Sequence, residues 1–515
     1  MTRCLQWIHQ KSLDMMSFCI LNEKEKLSLK YLCIFSGLYL LPLILANSYY
    51  IDDIGRFSTT NFLWMRDGRP LMQIMAACLG FGKPYLNIFP LGQLLAVFAF
   101  DYVLVLWGRK YFVLQNPLLL AGFLGLGYLN LFLLESFSYV YESLGMMLSL
   151  CFPIFLYSLS DTLLSIHKFL LTLFSVILSL SFYQAAIGAF VGLAFIELCK
   201  SLFENQKQKS CLKQFVIRMA GIMTGIVIYL VLTRPLINGY GAEHSSLLPF
   251  FTNRGYRQLI NHLLIYYHRY QIFFRSTHKV VRGLFLFIYA IGTTIVIKRL
   301  WDKRNRNLLS KMGCSCLYII FPLLLMGGFI APFAFLENPV YAPRIFLSFS
   351  ILFLYLALLL YQLVCRFFLA KFLLIPMLLF ALSYSAGYGN LLYQEDRHDR
   401  FIAQSIANEL NRMEGQHNKL YKKITFIGRE PECLELKRQE KKRPLMELLV
   451  PIYMNNNWYW GTVYLDHYRN AKTILVAKTQ QDTEIVKCRK SFSQNEFYDL
   501  YDADDKAIIV FHGRS

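Results

Sequence analysis

The sequence predicts an all-α polytopic membrane protein of about 11 transmembrane helices, with a small C-terminal α/β domain outside the membrane. Three observations predict it. Only 17% of the 515 residues are charged and 56% are hydrophobic, where soluble proteins carry roughly 25% charged residues, and mean hydropathy is +0.39. Apolar stretches long enough to cross a bilayer recur between residues 31 and 389. From residue 390 the composition changes abruptly to a balanced mixture of 20 Lys+Arg and 18 Asp+Glu. The same figures exclude a nucleic-acid binder despite a pI near 9.3, because such a protein gathers its basic residues on a solvated face.

A bilayer core about 30 Å thick takes roughly 20 apolar residues per helix. Eleven such spans centre on residues 31–48, 87–107, 117–133, 144–158, 168–182, 185–199, 216–233, 281–297, 313–333, 346–364 and 372–388. The fourth to sixth are short, and only Tyr183-Gln184 separates the fifth from the sixth. An odd number of spans puts the termini on opposite sides. Lys and Arg favour short cytoplasmic loops. With the N-terminus inside, the cytoplasmic segments and the span ends beside them hold 21 Lys+Arg against 6 acidic residues, and the short outside loops hold 5 against 6. The net charge of +20 is therefore mainly an orientation signal. Residues 1–30 read as a cytoplasmic segment, 31–389 as the transmembrane domain and 390–515 as the extracytoplasmic domain. Alternating Glu23, Lys24, Glu25 and Lys26, with no small-residue cleavage site after the first span, argue for a retained signal anchor. No repeat, metal motif or phosphate-loop motif is present.

The ionisable residues that topology leaves over share the outer face. The first outside loop carries Asp52-Asp53 and Arg56, then Asp67-Gly68-Arg69-Pro70. Two adjacent acids repel, so one can carry a raised pKa suited to proton abstraction while the other orients a partner; a solvated Asp-capped loop is the bland alternative. The second loop holds Glu135, Tyr139 and Glu142, the third is the Tyr183-Gln184 turn, and a later loop ends in Arg344. These arginines can snorkel to headgroups or clamp a phosphate with a forked donor. Asp101, inside the second span, reads as a helix-packing contact, and Glu197 as an inner-edge residue beside Lys200. Cys433 and Cys488 fall in the exported tail, where an oxidising compartment could join them or leave two thiols.

Such parts suit transfer of a sugar from a lipid phosphate. The phosphate would lie in the headgroup layer held by Arg56, Arg69 or Arg344, and a departing phosphate monoester, with a second pKa of about 6, needs no general acid. One carboxylate then suffices for an inverting displacement, and the two-carboxylate geometry of glycoside hydrolysis is not required.

The string Tyr50-Ile51-Asp52-Asp53-Ile54-Gly55-Arg56, followed by Gly68-Arg69-Pro70-Leu71, resembles the opening signature of the Gtr type II glucosyltransferases that modify bacterial O-antigen. In order there follow Phe137-Ser138-Tyr139 with Glu142-Ser143-Leu144, Tyr183-Gln184-Ala185, Pro343-Arg344, Tyr388-Gly389-Asn390, Asp399 with Ile402-Ala403, and Trp458-Tyr459-Trp460. Glu142 stands where the family pattern has Asp. The resemblance implies a GT-C-type membrane glycosyltransferase with its catalytic Asp in the first outside loop, and favours Asp52-Asp53, with Asp53 preferred. It implies polyprenyl phosphate glucose as donor, lipid-linked O-antigen units of lipopolysaccharide as acceptor, and serotype conversion as the result. It places the enzyme in the bacterial inner membrane, N-terminus cytoplasmic and C-terminus periplasmic, with a donor flippase and donor synthase as partners. No cofactor is specified, and a divalent cation stays open. Competing readings are a transporter or flippase, which would place ionisable residues near the midplane of repeated halves, and a non-catalytic partner in glycan assembly.

The outside loop 234–283, with Arg254, Arg257, His262, Tyr266, Tyr267, His268 and Tyr270, either shapes acceptor choice together with the tail or forms interfacial helices. In the tail, Asp399 to Leu410 has helical periodicity, while 424–427, 473–477 and 507–511 read as short buried strands.

Overall fold

A computed structural model describes residues 18–58, 62–82, 86–113, 116–160, 163–204, 208–249, 252–302, 308–456, 458–469 and 471–513. The first 17 residues of the segment expected at 1–30 lie outside this set. Nine helices among the described residues are long and apolar enough to cross a membrane, so the chain is a multi-pass membrane protein. They coincide with nine of the eleven expected spans. The other two, at 117–133 and 144–158, are met by shorter apolar helices, Pro117–Leu129 and Ser143–Ser158. A third short helix, Pro70–Leu79, was not foreseen, because ten residues fall below the length that hydropathy detects.

The first span, α1 (Glu23–Ala46), starts at a capping box in which Asn22 accepts the Glu25 amide at 3.0 Å and Glu25 accepts the Asn22 amide at 2.9 Å. After α1 come α2 (Asp52–Ser58), α3 (Pro70–Leu79), α4 (Leu91–Tyr111), α5 (Pro117–Gly125), α6 (Leu133–Ser138), α7 (Ser143–Ser158), α8 (Ser165–Phe182), α9 (Ile187–Phe203), α10 (Gln208–Thr233), α11 (Asn253–Ser276), α12 (Lys279–Trp301), α13 (Leu308–Ala334), α14 (Ser350–Arg366) and α15 (Leu374–His417). Asp101 of α4 accepts the Ser36 hydroxyl at 2.5 Å and the Tyr128 hydroxyl at 2.7 Å, a packing contact as expected. Glu197 does not face the interface. It is buried against Arg218 at 3.0 Å, because a buried charge is tolerated only when an opposite charge pairs with it.

The 44-residue α15 crosses the expected boundary at 389/390 without a break. Its first half is apolar and packs on α1, where a Cβ at Gly389 would meet the backbone of Pro42. Its second half turns amphipathic, and Ile402, Ile406, Leu410 and Met413 form the floor of the tail domain.

On that floor lies a five-stranded sheet, order β2-β1-β5-β4-β3, built from β1 (Lys423–Ile427), β2 (Ile474–Leu475), β3 (Ser493–Gln494), β4 (Tyr498–Ala503) and β5 (Lys506–Phe511). β1 runs parallel to β2 and β5, with Ile424 opposite Ala507, and β4 and β5 form an antiparallel hairpin. Side chains alternate across a strand. Ile424, Phe426, Leu500 and Ile509 therefore face α15, and Tyr501, Ala503 and Ile508 face Ile485 of the helix Gln480–Cys488. Cys433 and Cys488 do not pair. Cys433 is buried, its Sγ accepting the Leu436 amide at the start of helix Leu434–Glu440, while Cys488 is exposed at a helix end.

Candidate active site

The residues between α1 and α3 are held from two sides. Tyr50 is buried and donates its hydroxyl to the Leu449 carbonyl at 2.8 Å. The Ile51 amide donates to the Tyr453 hydroxyl at 3.2 Å, and that hydroxyl donates to the Tyr49 carbonyl at 3.1 Å. Leu449 and Tyr453 belong to the tail, so the tail domain is part of the scaffold of this loop. Gly55 lies flat against Trp460, and a Cβ there would run into the indole. That contact accounts for the glycine and explains why the tail's Trp458-Tyr459-Trp460 belongs with the Asp-Asp loop.

The two acids differ in environment. Asp53 is fully buried; it accepts the Val140 amide at 2.6 Å and, more weakly, the Tyr141 amide at 3.4 Å. Burial pushes its carboxyl up to about 7, against the pull of Arg56 and the Val140 amide and with the push of Glu142 and Asp52. Asp52 keeps 31% of its side chain exposed. Arg56 stands 3.7 Å from each of them.

Glu142 organises the next layer. It pairs with Arg56, accepts the Trp64 indole at 2.7 Å and pairs with Arg69 at 3.2 Å. Burial alone would raise its pKa; Arg56 and Arg69 outweigh that and hold it below the usual range. Arg69 also donates to Gln184 at 3.1 Å and lies 4.7 Å from the centre of the Tyr183 ring. Gln184 is oriented by donating to the Asp67 carbonyl at 2.8 Å and to the Tyr229 hydroxyl at 2.9 Å. On the other side, Arg344 pairs with Glu135 at 2.8 Å and donates to the Tyr139 hydroxyl at 2.7 Å, and the Tyr139 ring meets Tyr50 edge-on at 5.0 Å.

All the residues singled out in the outside loops thus meet: Asp52, Asp53, Arg56, Arg69, Glu135, Tyr139, Glu142, Tyr183, Gln184 and Arg344. Each arginine is engaged by a carboxylate. Three guanidinium groups face four carboxylates, a balance suited to holding acids in fixed positions. Sequence reasoning missed Trp64, Tyr229 and Tyr453, which carry no charge and no local motif. Loop 234–283 supplies α11, a helix with two faces. His262, Tyr266 and Tyr270 turn inward, while Tyr256, Ile260, Leu263, Leu264 and Tyr267 form an exposed apolar stripe at helical spacing. No group of three or more His, Cys, Asp and Glu side chains among the described residues is arranged to hold a metal ion.

A family model described as glucosyl transferase GtrII matches residues 41–355, which run from the end of α1 into α14. A protein of Salmonella phage P22, named as an uncharacterized 55.3 kDa protein in the gtrB 5′ region, is 25% identical over 497 residues, 94% of this chain and 98% of its own. No solved structure matches the chain. With more than half of its length matched, and the matched part carrying the whole network of acids and arginines outside the tail, the chain belongs to the GtrII glucosyl transferase family.

Proposed function

We propose that this chain transfers a glucosyl residue from polyprenyl phosphate glucose to O-antigen repeat units of lipopolysaccharide on the periplasmic face of the bacterial inner membrane. The observation that carries this reading is the convergence of acids, arginines and tyrosines from separate loops on one network. In this reading the architecture is GT-C-like and the N-terminus cytoplasmic, so the network lies outside, where nucleotide sugars do not occur and a lipid-carried donor is required. The phage relative's name, set beside a gtr gene, fits a pathway that includes a donor synthase and a donor flippase, and serotype conversion is the expected outcome.

The reaction is a single inverting displacement. An acceptor hydroxyl forms a bond to the anomeric carbon, the bond from that carbon to the phosphate oxygen breaks, and the hydroxyl proton passes to a carboxylate. Asp52 is the base in this proposal. Its carboxylate is open on one side, whereas Asp53 is enclosed by backbone amides with no face for an acceptor. Asp53 then acts as a positioning residue that fixes α2 against Val140. The polyprenyl phosphate leaves as a monoester, whose second pKa of about 6 makes protonation unnecessary. Glu142 and Glu135 hold the arginines beside the departing phosphate, and Tyr139, Tyr183 and Gln184 line its surroundings.

Membranes containing Asp52→Asn or Asp53→Asn, supplied with labelled polyprenyl phosphate glucose and O-antigen acceptor, test the assignment. Loss of a general base costs about 10²- to 10⁴-fold and is expected for Asp52→Asn, with a smaller loss for Asp53→Asn. Full transfer by Asp52→Asn overturns its role. Full transfer by both removes the pair from the mechanism.

A further inference from the structure

The arginines of the network are already paired. A phosphodiester brought to Arg56, Arg69 or Arg344 must compete with Glu142, Glu135, Asp52 and Asp53. Arg269 differs from all of them. It sits on α11, three residues after Tyr266 and one before Tyr270, at the edge of the inward face. Its side chain is half-buried and its Nε is enclosed without a hydrogen-bond acceptor. No carboxylate pairs with it among the described residues. Burial lowers its pKa, and the more distant Glu135 and Glu447 only soften that effect. An enclosed guanidinium nitrogen without an acceptor is costly, and an anion reaching it would complete it.

Its position says which anion. Tyr266 and Tyr270 pack on Phe346, two residues beyond Arg344 in the turn of 3₁₀ helix at Pro343–Phe349. Glu135, the partner of Arg344, lies near enough to act on Arg269 electrostatically, and Glu447 approaches from the tail. Arg269 therefore stands at the Arg344 end of the network, where α6, α11 and the tail meet. The exposed apolar stripe of α11 gives this helix the character of one lying in the membrane interface, which sets its arginine at headgroup depth.

We propose that Arg269 binds the phosphate of a lipid-linked substrate, supplying the free forked cation that the paired arginines do not. This rests on the proposed lipid-phosphate chemistry and names the residue that reads it. Donor and acceptor both carry lipid-linked phosphate, so the experiment has an arm for each.

The full-length protein and its Arg269→Gln and Arg269→Lys variants are assayed for glucose transfer, titrating polyprenyl phosphate glucose at fixed acceptor and then acceptor at fixed donor. Arg269→Gln is expected to raise KM for one of the two by about 10- to 100-fold, the worth of hydrogen bonds to a charged group, with kcat changed far less. Arg269→Lys recovers part of the loss. The arm that moves identifies the substrate. A second readout is the melting temperature with and without sugar-free polyprenyl phosphate. The ligand rescues an uncompensated cation, so wild type is stabilised by it, while ligand-free Arg269→Gln melts no lower than wild type and gains nothing from the lipid. Wild-type transfer with both KM values unchanged in Arg269→Gln overturns the proposal. So does a ligand-free variant that melts well below wild type, since Arg269 would then be a structural residue. If wild type transfers no glucose, the proposed function falls, and Arg269 is judged on polyprenyl phosphate alone: equal stabilisation of wild type and variant overturns it.

Discussion

Glu142→Gln is the substitution that most directly probes how the network is held. The carboxylate is 3% exposed and serves Trp64, Arg56 and Arg69 together. Glutamine preserves the shape and one acceptor oxygen but removes the charge that two guanidinium groups share, groups themselves only 13% and 20% exposed. Breaking a buried ion pair from one side costs about 3–5 kcal/mol. Arg56 keeps Asp52 and Asp53 at 3.7 Å, and Arg69 keeps Gln184 and the Tyr183 ring, so the lower end applies, about 3 kcal/mol. For a chain of 515 residues that corresponds to a fall of roughly 3 °C in melting temperature. Arg56, released from Glu142, would swing toward Asp52 and compete for the acceptor's proton site, so transfer should fall more than stability alone accounts for. Glu142→Asp keeps the charge on a shorter arm and should lose less than half as much on both counts. The assay is thermal inactivation of glucose transfer in detergent, with initial rates at a temperature where both proteins are folded. A Glu142→Gln variant that melts within 1 °C of wild type and transfers at an unchanged rate would refute the view of Glu142 as the counter-ion that sets the arginines.

Other predictions follow from the same contacts. Asp53 titrates near 7 when folded, against 3.8 for an open carboxyl; the folded loop therefore keeps a proton that the unfolded chain has lost, and stability falls as pH rises from about 4 to about 7 and is flat above, by up to about 4 kcal/mol. Asp53→Asn should abolish that slope in a series of melting curves, and a parallel slope in both proteins would contradict it. In the tail, Glu395, Asp399 and Glu430 are buried together with one oxygen of each unpartnered. Burial pushes Glu430 up to about 8 and Asp399 up as well, so by the same sign they favour the folded tail at low pH and weaken it as pH rises through about 8; Glu430→Gln should flatten this loss in limited-proteolysis rates. Gly55→Ala should cost about 1–3 kcal/mol of overpacking against Trp460. Adding Trp460→Ala should give back part of that cost, and simple additivity of the two losses would argue against their contact.

Much of this was legible in the sequence, for identifiable reasons. A membrane-spanning helix must satisfy its backbone internally and face lipid, so its apolar run reads without knowledge of the fold, as α1, α8, α12 and α14 illustrate. The length rule failed where helices are short, at Pro70–Leu79. That these acids and arginines would gather was legible because the alternation of spans assigns their loops to one side. Their pairing was not: that Glu142 serves Arg56 and Arg69 while Glu135 serves Arg344 depends on how α2, α6 and the 3₁₀ turn pack, which no local pattern encodes. Which carboxylate of the Asp52-Asp53 pair is enclosed was equally hidden, since adjacency in sequence says nothing about burial. Arg269 was passed over because an arginine on an amphipathic helix reads as part of a solvated face until its surroundings are known. Tyr453 lies some 400 positions from the loop it ties down.

Because α15 is continuous, the tail is geared to the bilayer by angle as well as by distance. Forty-four residues at 1.5 Å each make a shaft about 66 Å long. Inserting one residue between Gly389 and Asp399 would advance the tail by about 1.5 Å but turn it by about 100°, carrying Tyr453 and Trp460 away from the loop they clasp. Three or four inserted residues would nearly restore the phase at a rise of about 5 Å. Length variants of this chain should therefore be tolerated with a helical period, an oscillation of activity with insertion size that a flexible tether would not produce.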